Sequence, residues 1–384
     1  MASLLLVMIY LAFISLGLPD ALLGAGWPGM YGELGVSVGD AGLLTMVCGV
    51  GTVYSALNSQ RFIARFGTGK VTACSTALTA VGLLCFSLCG KFWMLCLCMI
   101  PLGFGAGCID AALNNYVAIH YESRHMSWLH CMWGIGTTVG PYVMGMVFGL
   151  GLSWRWAYRS VGFIQLLLAV ALVAALPLWS RVGPVVGETE EPVETEALTT
   201  METIALPKAK AAAACFFFYC AVEQTAGLWA GSYLCLHKGL SAEAAAKFAG
   251  LYFLGLTVGR AISGFLTVWW NDRQLVRGGL LLILGGILCM VLPVGTSAVL
   301  VGLVLMGLGS APIYPCMVHS TPRLFGAARS QAVVGVQMTG AFLGSCLMPP
   351  LFGVIAEHMG VAALPLELLL LLGCLAVTHI LVER

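Results

Sequence analysis

Charge is what this sequence has least of: Asp, Glu, Lys and Arg together make up 9% of its 384 residues, against roughly a quarter in soluble domains. So few ionic groups exclude the hydrated surface that a soluble globule needs. The formal net charge of +1 is uninformative about partners, but no cluster of Lys and Arg occurs, so no nucleic-acid footprint is expected. No Gly-x-x-x-x-Gly-Lys-Ser/Thr loop occurs, so ATP is not the expected energy source and the chain is not read as an enzyme. Its 15 cysteines lie in apolar runs without the paired spacings of zinc or redox sites, and they read as small apolar fillers. No metal and no cofactor is expected. The N-terminus has no basic n-region, and its first apolar run continues too far for a cleaved signal peptide, so it reads as a first span.

Apolar residues are what the chain has instead: 60% of it is hydrophobic and the mean hydropathy is +0.95. Twelve apolar runs, each near the ~20 residues that cross a bilayer, fall at approximately 4–26, 40–60, 71–89, 92–117, 128–150, 156–179, 211–236, 246–269, 276–293, 297–319, 329–354 and 361–382. The one long polar segment, Arg181 to Lys210, carries six acids from Glu188 to Glu202 together with Pro184, Pro192 and Pro207. It reads as a flexible connector. The expected organisation is a six-helix bundle over 1–180, a linker over 181–210 and a second six-helix bundle over 211–384. With a cytoplasmic N-terminus, the inner side holds Arg61, Arg65, Lys70, Arg124, Arg181, Lys208, Lys210, Arg273, Arg277, Arg323, Arg329 and Arg384, against Lys91, Arg155, Arg159, Lys238 and Lys247 outside. That bias places both termini in the cytoplasm. Trp27, Trp93, Trp154 and Trp179, near span ends, read as interfacial anchors.

The two halves repeat. At a constant offset of 204, Gly35, Gly51, Gly82, Gly103, Gly105, Gly136, Gly140 and Gly149 meet Gly239, Gly255, Gly286, Gly307, Gly309, Gly340, Gly344 and Gly353, where composition alone gives roughly three such matches. Ser37 and Ser241 occupy matching positions as candidate helix N-caps. An even number of spans per half makes the repeats parallel, and a solute site is expected near midplane between them.

Within this apolar frame the polar side chains stand out. Gly103-Phe104-Gly105-Ala106-Gly107-Cys108-Ile109-Asp110-Ala111-Ala112-Leu113-Asn114-Asn115 sets a carboxylate and two amides into a glycine-rich span, and an ionisable group inside a membrane is a functional-site hypothesis by default. Asn114 follows Asp110 by one helical turn on the same face. Asp20 follows Pro19, whose missing N–H kinks a helix and frees a carbonyl; hydration near an interface is the alternative reading. Glu223 lies mid-span in the seventh run, and the repeat sets Gln224 opposite Asp20, so both read as ligand contacts. Trp133 and Trp229 are open to either helix packing or stacking on a sugar ring. The offset pairs Trp133 with Gln337 and Tyr314 with Asp110, which makes Gln337 and Tyr314 cavity candidates. His130 opens the fifth span near Asp110, where a His–Asp pair competes with a simple interfacial histidine. Arg260 is buried by the span count, with snorkelling or a Glu223 pairing as its options.

Several segments carry a resemblance: Gly17-Leu18-Pro19-Asp20, Ile109 to Asn115, Ser127-Trp128-Leu129-His130, Glu223-Gln224 with Trp229, and Pro312-Ile313-Tyr314-Pro315. In these the chain resembles the major facilitator superfamily, and within it the fucose permease-like sugar and proton symporters, over its whole length apart from the linker. The resemblance implies an all-α membrane protein of twelve helices in two pseudo-symmetric bundles, with Asp20 and Asp110 in proton coupling and sugar recognition. Asp110 stands in place of the family's Glu. The superfamily's gating loop is matched by Arg65-Phe66-Gly67 with Lys70, but Ala64 replaces the usual acid. Gly136-Thr137-Thr138-Val139-Gly140-Pro141 looks like a motif of the superfamily's antiporters. The leading expectation is alternating-access symport of a small hydroxyl-rich solute, a sugar, with protons, by a monomer in a bacterial cytoplasmic membrane; sodium coupling stays open. A proton-driven exporter of an amphipathic compound is the alternative, and a non-transporting membrane sensor the third.

Overall fold

The computed structural model describes residues 2–121, 123–179, 198–293 and 295–384; the Arg181 to Glu196 part of the linker, with five of its acids, lies outside them. Nearly everything described is helical, because a chain in hydrocarbon satisfies its backbone most simply within each helix. The helices are α1 (Ala2–Asp20, continued by Leu22–Gly26), α2 (Ala41–Phe66), α3 (Thr68–Phe86), α4 (Phe92–His120), α5 (Ser123–Gly149) and α6 (Arg155–Ala174), then α7 (Ala209–Ser232, running into a π-helical turn at Tyr233–His237), α8 (Ala242–Leu266), α9 (Asp272–Val291), α10 (Thr296–Ser310 and Ile313–Phe325), α11 (Ala327–Met359) and α12 (Leu364–Glu383). Eleven of these spans are long and apolar enough to cross a membrane, and the twelfth, α5, has 27 residues. Large apolar side chains remain on the outside, such as Leu57 at 77% and Phe265 at 72% exposure, as they do on a lipid-facing surface.

By contacts the chain forms two compact units, Met1–Val186 with Ala230–Gly250, and Gly187–Trp229 with Leu251–Arg384. The end of α7 and the start of α8 therefore count with the first six helices. Small residues allow this: a Cβ on Gly231 would come 2.6 Å from the Gly24 carbonyl, and one on Gly149 2.7 Å from Glu243 Oε1. In the first unit α1 packs on α5, α2 on α4, and α3 on α4 and α6; in the second α9 packs on α10 and α12, and α10 on α11.

The repeat recurs in the packing, contact for contact. Gly51 faces Ile100 and Phe104 while Gly255 faces Val304 and Leu308; Gly103 abuts the Cys48 carbonyl while Gly307 abuts that of Tyr252. Gly105 meets Ser75 and Thr79 where Gly309 meets Gly279 and Ile283. Every one of these partners is displaced by the same 204 positions. The left-handed turns repeat as well, with φ of 66° at Gly35 and 71° at Gly239, a conformation only glycine takes without strain.

Two of the four tryptophans read as interfacial anchors are internal instead. Trp27 is fully buried with Nε1 donating to the Val38 carbonyl at 2.7 Å, and Trp154 donates to Glu33 Oε2 at 2.8 Å. Arg155 pairs with the same Glu33 and donates to the Cys89 carbonyl at 3.0 Å, so three connections of the first unit meet at one carboxylate. Trp93 is 59% exposed, which suits an anchor. Trp179 packs its ring on Gly69 and edge-on to Tyr116.

The described end of the linker is more ordered than a plain connector. Thr199 caps the short helix Thr200–Ala205 in a reciprocal box with Glu202, a pattern that satisfies free backbone donors. The Thr199 backbone and hydroxyl donors hold the Glu202 carboxyl below its ordinary range. This helix packs on α11, and Thr203 is buried.

Candidate functional site

In the first unit the polar cluster is built where α1 breaks. Pro19 cannot donate to the Ser15 carbonyl one turn earlier, and Gln165 of α6 takes its place, with Nε2 donating at 2.6 Å. The helix ends at Asp20 and resumes after Ala21. Asp20 is solvent-accessible within this span, and its Oδ2 accepts from Trp133 Nε1 of α5 at 2.8 Å. Close packing sets that register: a Cβ on Gly140 would come 2.5 Å from the Leu18 carbonyl, and Gly136 and Gly17 face each other. On α4, Asp110 Oδ1 accepts from Asn114 Nδ2 at 2.9 Å, and the same amide reaches the Asp110 carbonyl. Asp110 is also solvent-accessible. The structure thus gathers Asp20, Trp133, Asp110 and Asn114 as accessible polar groups of one unit. Asn115 beside them is half-buried. His130 presents its ring edge-on to Phe13, centroids 6.0 Å apart, while the neighbour of Asp110 is Asn114.

The second unit has its own cluster. Glu223 of α7 is 8% exposed and accepts from the Tyr219 hydroxyl one turn before it. Arg260 Nη2 of α8 lies 4.0 Å from the other carboxylate oxygen. A buried acid on one helix thus faces a half-buried cation on the next. Tyr252, two turns before Arg260 on α8, is fully buried beside this pair. Tyr314 closes the group with its ring 6.1 Å from that of Tyr219 and 5.5 Å from Phe216, its hydroxyl on Met338 Sδ at 3.1 Å. Gln224 next to Glu223 is exposed.

Two sequence expectations change here. Trp229 is fully buried, donates Nε1 to the Pro349 carbonyl at 3.0 Å and stacks edge-on to Phe352. Its aromatic area is spent on helix packing, leaving no face for a sugar. Gln337 is 3% exposed, accepts from Thr321 at 3.2 Å, and lines a cavity of about 20 Å³ with Asp272, Glu383 and His379. That cavity is room for one water molecule, at the opposite end of α11 from Pro349. Trp133 and Gln337 therefore share a repeat position without sharing an environment. In the loop expected to gate, Arg65 and Lys70 are exposed and Gly67 takes φ 82° between α2 and α3. Among the described residues no three His, Cys, Asp or Glu side chains gather as metal ligands.

Tyr219, Tyr252 and Gln165 were missed in the sequence. Tyr219 could have been found from its one-turn spacing to Glu223. Gln165 and Tyr252 carry no local signal, since their partners lie on other helices.

Long apolar helices whose packing repeats at an offset of 204, with carboxylates accessible inside spans, define an integral multi-pass membrane protein. The chain belongs to the Major Facilitator Superfamily, whose model matches residues 9–349, and so it is a membrane transporter of a small molecule. It is 22% identical to "Bypass of stop codon protein 6" of Saccharomyces cerevisiae, over 92% of this chain and 77% of that one. It is 23% identical to an MFS-type transporter of Yersinia pestis over 90% and 88%. A probable multidrug-efflux transporter of Mycobacterium tuberculosis is 32% identical over 136 residues, 34% of this chain and 27% of that one. Among solved structures, the nucleoside transporter NupG superposes with a TM-score of 0.75 at 13% identity, covering 98% of both chains. A bacterial homolog of the human lysosomal transporter Spinster, inward-facing and occupied, gives 0.70 at 15% identity over 100% and 96%. At such identities the structural likeness establishes the fold.

Proposed function

We propose that this transporter imports a small hydroxyl-rich solute, a sugar or sugar derivative, together with protons. The observation that carries the reading is the Asp20–Trp133 contact beside Asp110–Asn114: accessible carboxylates inside spans, held by neutral donors, can take and release protons as the molecule alternates. A carboxylate that is neutral in one facing state and charged in the other changes the energy of closing around a solute. The amides, Trp133 and Tyr314 supply donors and ring faces that suit hydroxyls and sugar rings. The resemblance to fucose permease-like symporters supports the same direction. The expected site residues are Asp20 and Asp110 for protons, with Asn114 and Trp133 as the solute candidates of the first unit and Glu223 and Tyr314 as those of the second.

Proton-driven export is the second reading, favoured by Gly136 to Pro141 and by the local similarity to the efflux transporter. Proteoliposomes separate the two. With symport, adding a transported sugar outside draws protons inward; with antiport, the solute and protons move oppositely. In Asp110→Asn, exchange between solute-loaded sides continues while accumulation driven by a pH gradient is lost. Undiminished pH-driven accumulation in both Asp110→Asn and Asp20→Asn would remove these acids from coupling.

A further inference from the structure

We propose that Cys89 and Cys98 are a redox pair, closed to a disulfide by exchange with a small disulfide oxidant, so that the end of α3 is stapled to α4. The inference is independent of which solute is carried and of how its transport is coupled.

The two sulfurs already touch. Cys89 lies in the connection between α3 and α4, Cys98 in the second turn of α4, and their Sγ atoms are 3.6 Å apart. The Cys89 thiol donates to the Cys85 carbonyl at 3.3 Å, which leaves its sulfur open to the Cys98 thiol. The backbone beneath is held: the Cys89 N–H donates to the Phe86 carbonyl at 3.2 Å, and Arg155 of α6 donates to the Cys89 carbonyl at 3.0 Å. On α3, Gly82 lets α4 come close, since a Cβ there would stand 3.6 Å from the Cys98 carbonyl. A bond of about 2.05 Å asks the sulfurs to close a gap of roughly 1.5 Å. Gly90, next to Cys89, has open space around it, so the connection can follow.

Packing alone does not call for cysteine at these two positions. The repeat sets Cys85 on Cys289, as expected of a small apolar filler, but it sets Cys89 on Pro293 and Cys98 on Gly302. The second copy of the fold is built without sulfur at either place. On the topology argued from the basic residues, this connection, with Lys91, faces the outside. Disulfides persist in such oxidising surroundings.

The exchange balances in two steps. Cys98 is half-buried and Cys89 buried, so the Cys98 thiolate attacks one sulfur of the oxidant and expels a thiolate. The Cys89 thiolate then attacks the Cys98 sulfur of the mixed disulfide and expels the second. Two cysteines give up two electrons, the oxidant is reduced to two thiols, and the two cysteine protons end on these leaving groups. Burial pushes the Cys89 thiol up, while Cys98, Cys85 and Arg155 are the groups that act on it. The closing step therefore quickens as pH rises, because the thiolate is the nucleophile.

The test treats the purified full-length protein with dithiodipyridine, whose released thiopyridone is counted by absorbance, and then blocks the remaining thiols with N-ethylmaleimide. Lys91 lies between the two cysteines, so trypsin leaves peptides 71–91 and 92–124 joined only by the bond. Cys85 shares the first peptide, and Cys96 and Cys108 the second; fragment masses assign the linked pair. The expected result is a Cys89–Cys98 link with two thiopyridones released for each link, formed faster at higher pH and reopened by dithiothreitol. Cys85→Ser should keep the link, and Cys89→Ser should leave a pyridyl group on Cys98. The proposal is overturned if Cys89 and Cys98 both come out separately blocked in protein whose exposed Cys74 and Cys85 have reacted, or if the bond runs through Cys85, Cys96 or Cys108. The peptides of the parent decide this even where a serine variant does not fold. No transport is involved, so failure here leaves proton-coupled import standing, and failure of proton-coupled uptake leaves the pair standing.

Discussion

Trp133 combines two properties in one side chain: an indole N–H donated to Asp20 at 2.8 Å and a ring that is only half-buried. Trp133→Phe keeps a ring and removes the donor. A hydrogen bond to a charged group is worth about 1.5–3 kcal/mol, and the lower end applies at a solvent-accessible carboxylate. The expected outcome is weakened proton-driven accumulation with solute exchange largely retained, measured side by side in proteoliposomes. Equal loss of both would make Trp133 a packing residue. Gln165 is a separate case, because its role is structural. Gln165→Leu leaves the Ser15 carbonyl without the donor that replaces Pro19, and the cost of an unmatched buried acceptor is about 1–3 kcal/mol. A fall in the thermal midpoint checks it, and an unchanged midpoint would mean that α1 tolerates its break unaided.

At the scale of helices, glycine decides which pairs can approach. Gly103 of α4 lies against the Cys48 carbonyl of α2, and Gly307 against that of Tyr252, so a methyl at either position overlaps backbone that cannot move aside. Gly285 of α9 has nothing within 4 Å of where its Cβ would stand. All three are helical glycines, and on propensity alone alanine gains about 0.5–1 kcal/mol at each. Packing reverses the sign at two of them. Gly103→Ala and Gly307→Ala are expected to lower the yield of monodisperse protein and its thermal midpoint by similar amounts, whereas Gly285→Ala leaves them level or higher. Matching losses at 103 and 307 would express the repeat in energies as well as in contacts.

For the molecule as a whole, the bias of basic residues toward one side predicts cytoplasmic termini and a cytoplasmic linker. Met201, 78% exposed in the linker helix, is a suitable reporter. In a background without reactive native thiols, Met201→Cys should resist an impermeant reagent in intact cells and react once the membrane is opened. Labelling from outside would invert the topology.

Much of this molecule was legible in the sequence because bilayers impose simple rules. Lengths of apolar runs, the scarcity of charge and the offset of 204 determined the helices, their number and the two-fold repeat, and an acid in a span identified itself as a candidate at positions 20, 110 and 223. Each of those signals is local or periodic along the chain. The partners are neither. That Asp20 meets Trp133, that Arg260 lies near Glu223, and that Gln165 mends the Pro19 break were decided by which helix faces meet. The same holds where expectation failed. Trp229 and Gln337 look like site residues in a linear reading, but the packing of α7 on α11 commits the Trp229 indole to the Pro349 carbonyl, and Gln337 is buried against Thr321 of α10. Periodicity fixes the face of a helix on which a residue lies; only the packed bundle determines what that face touches.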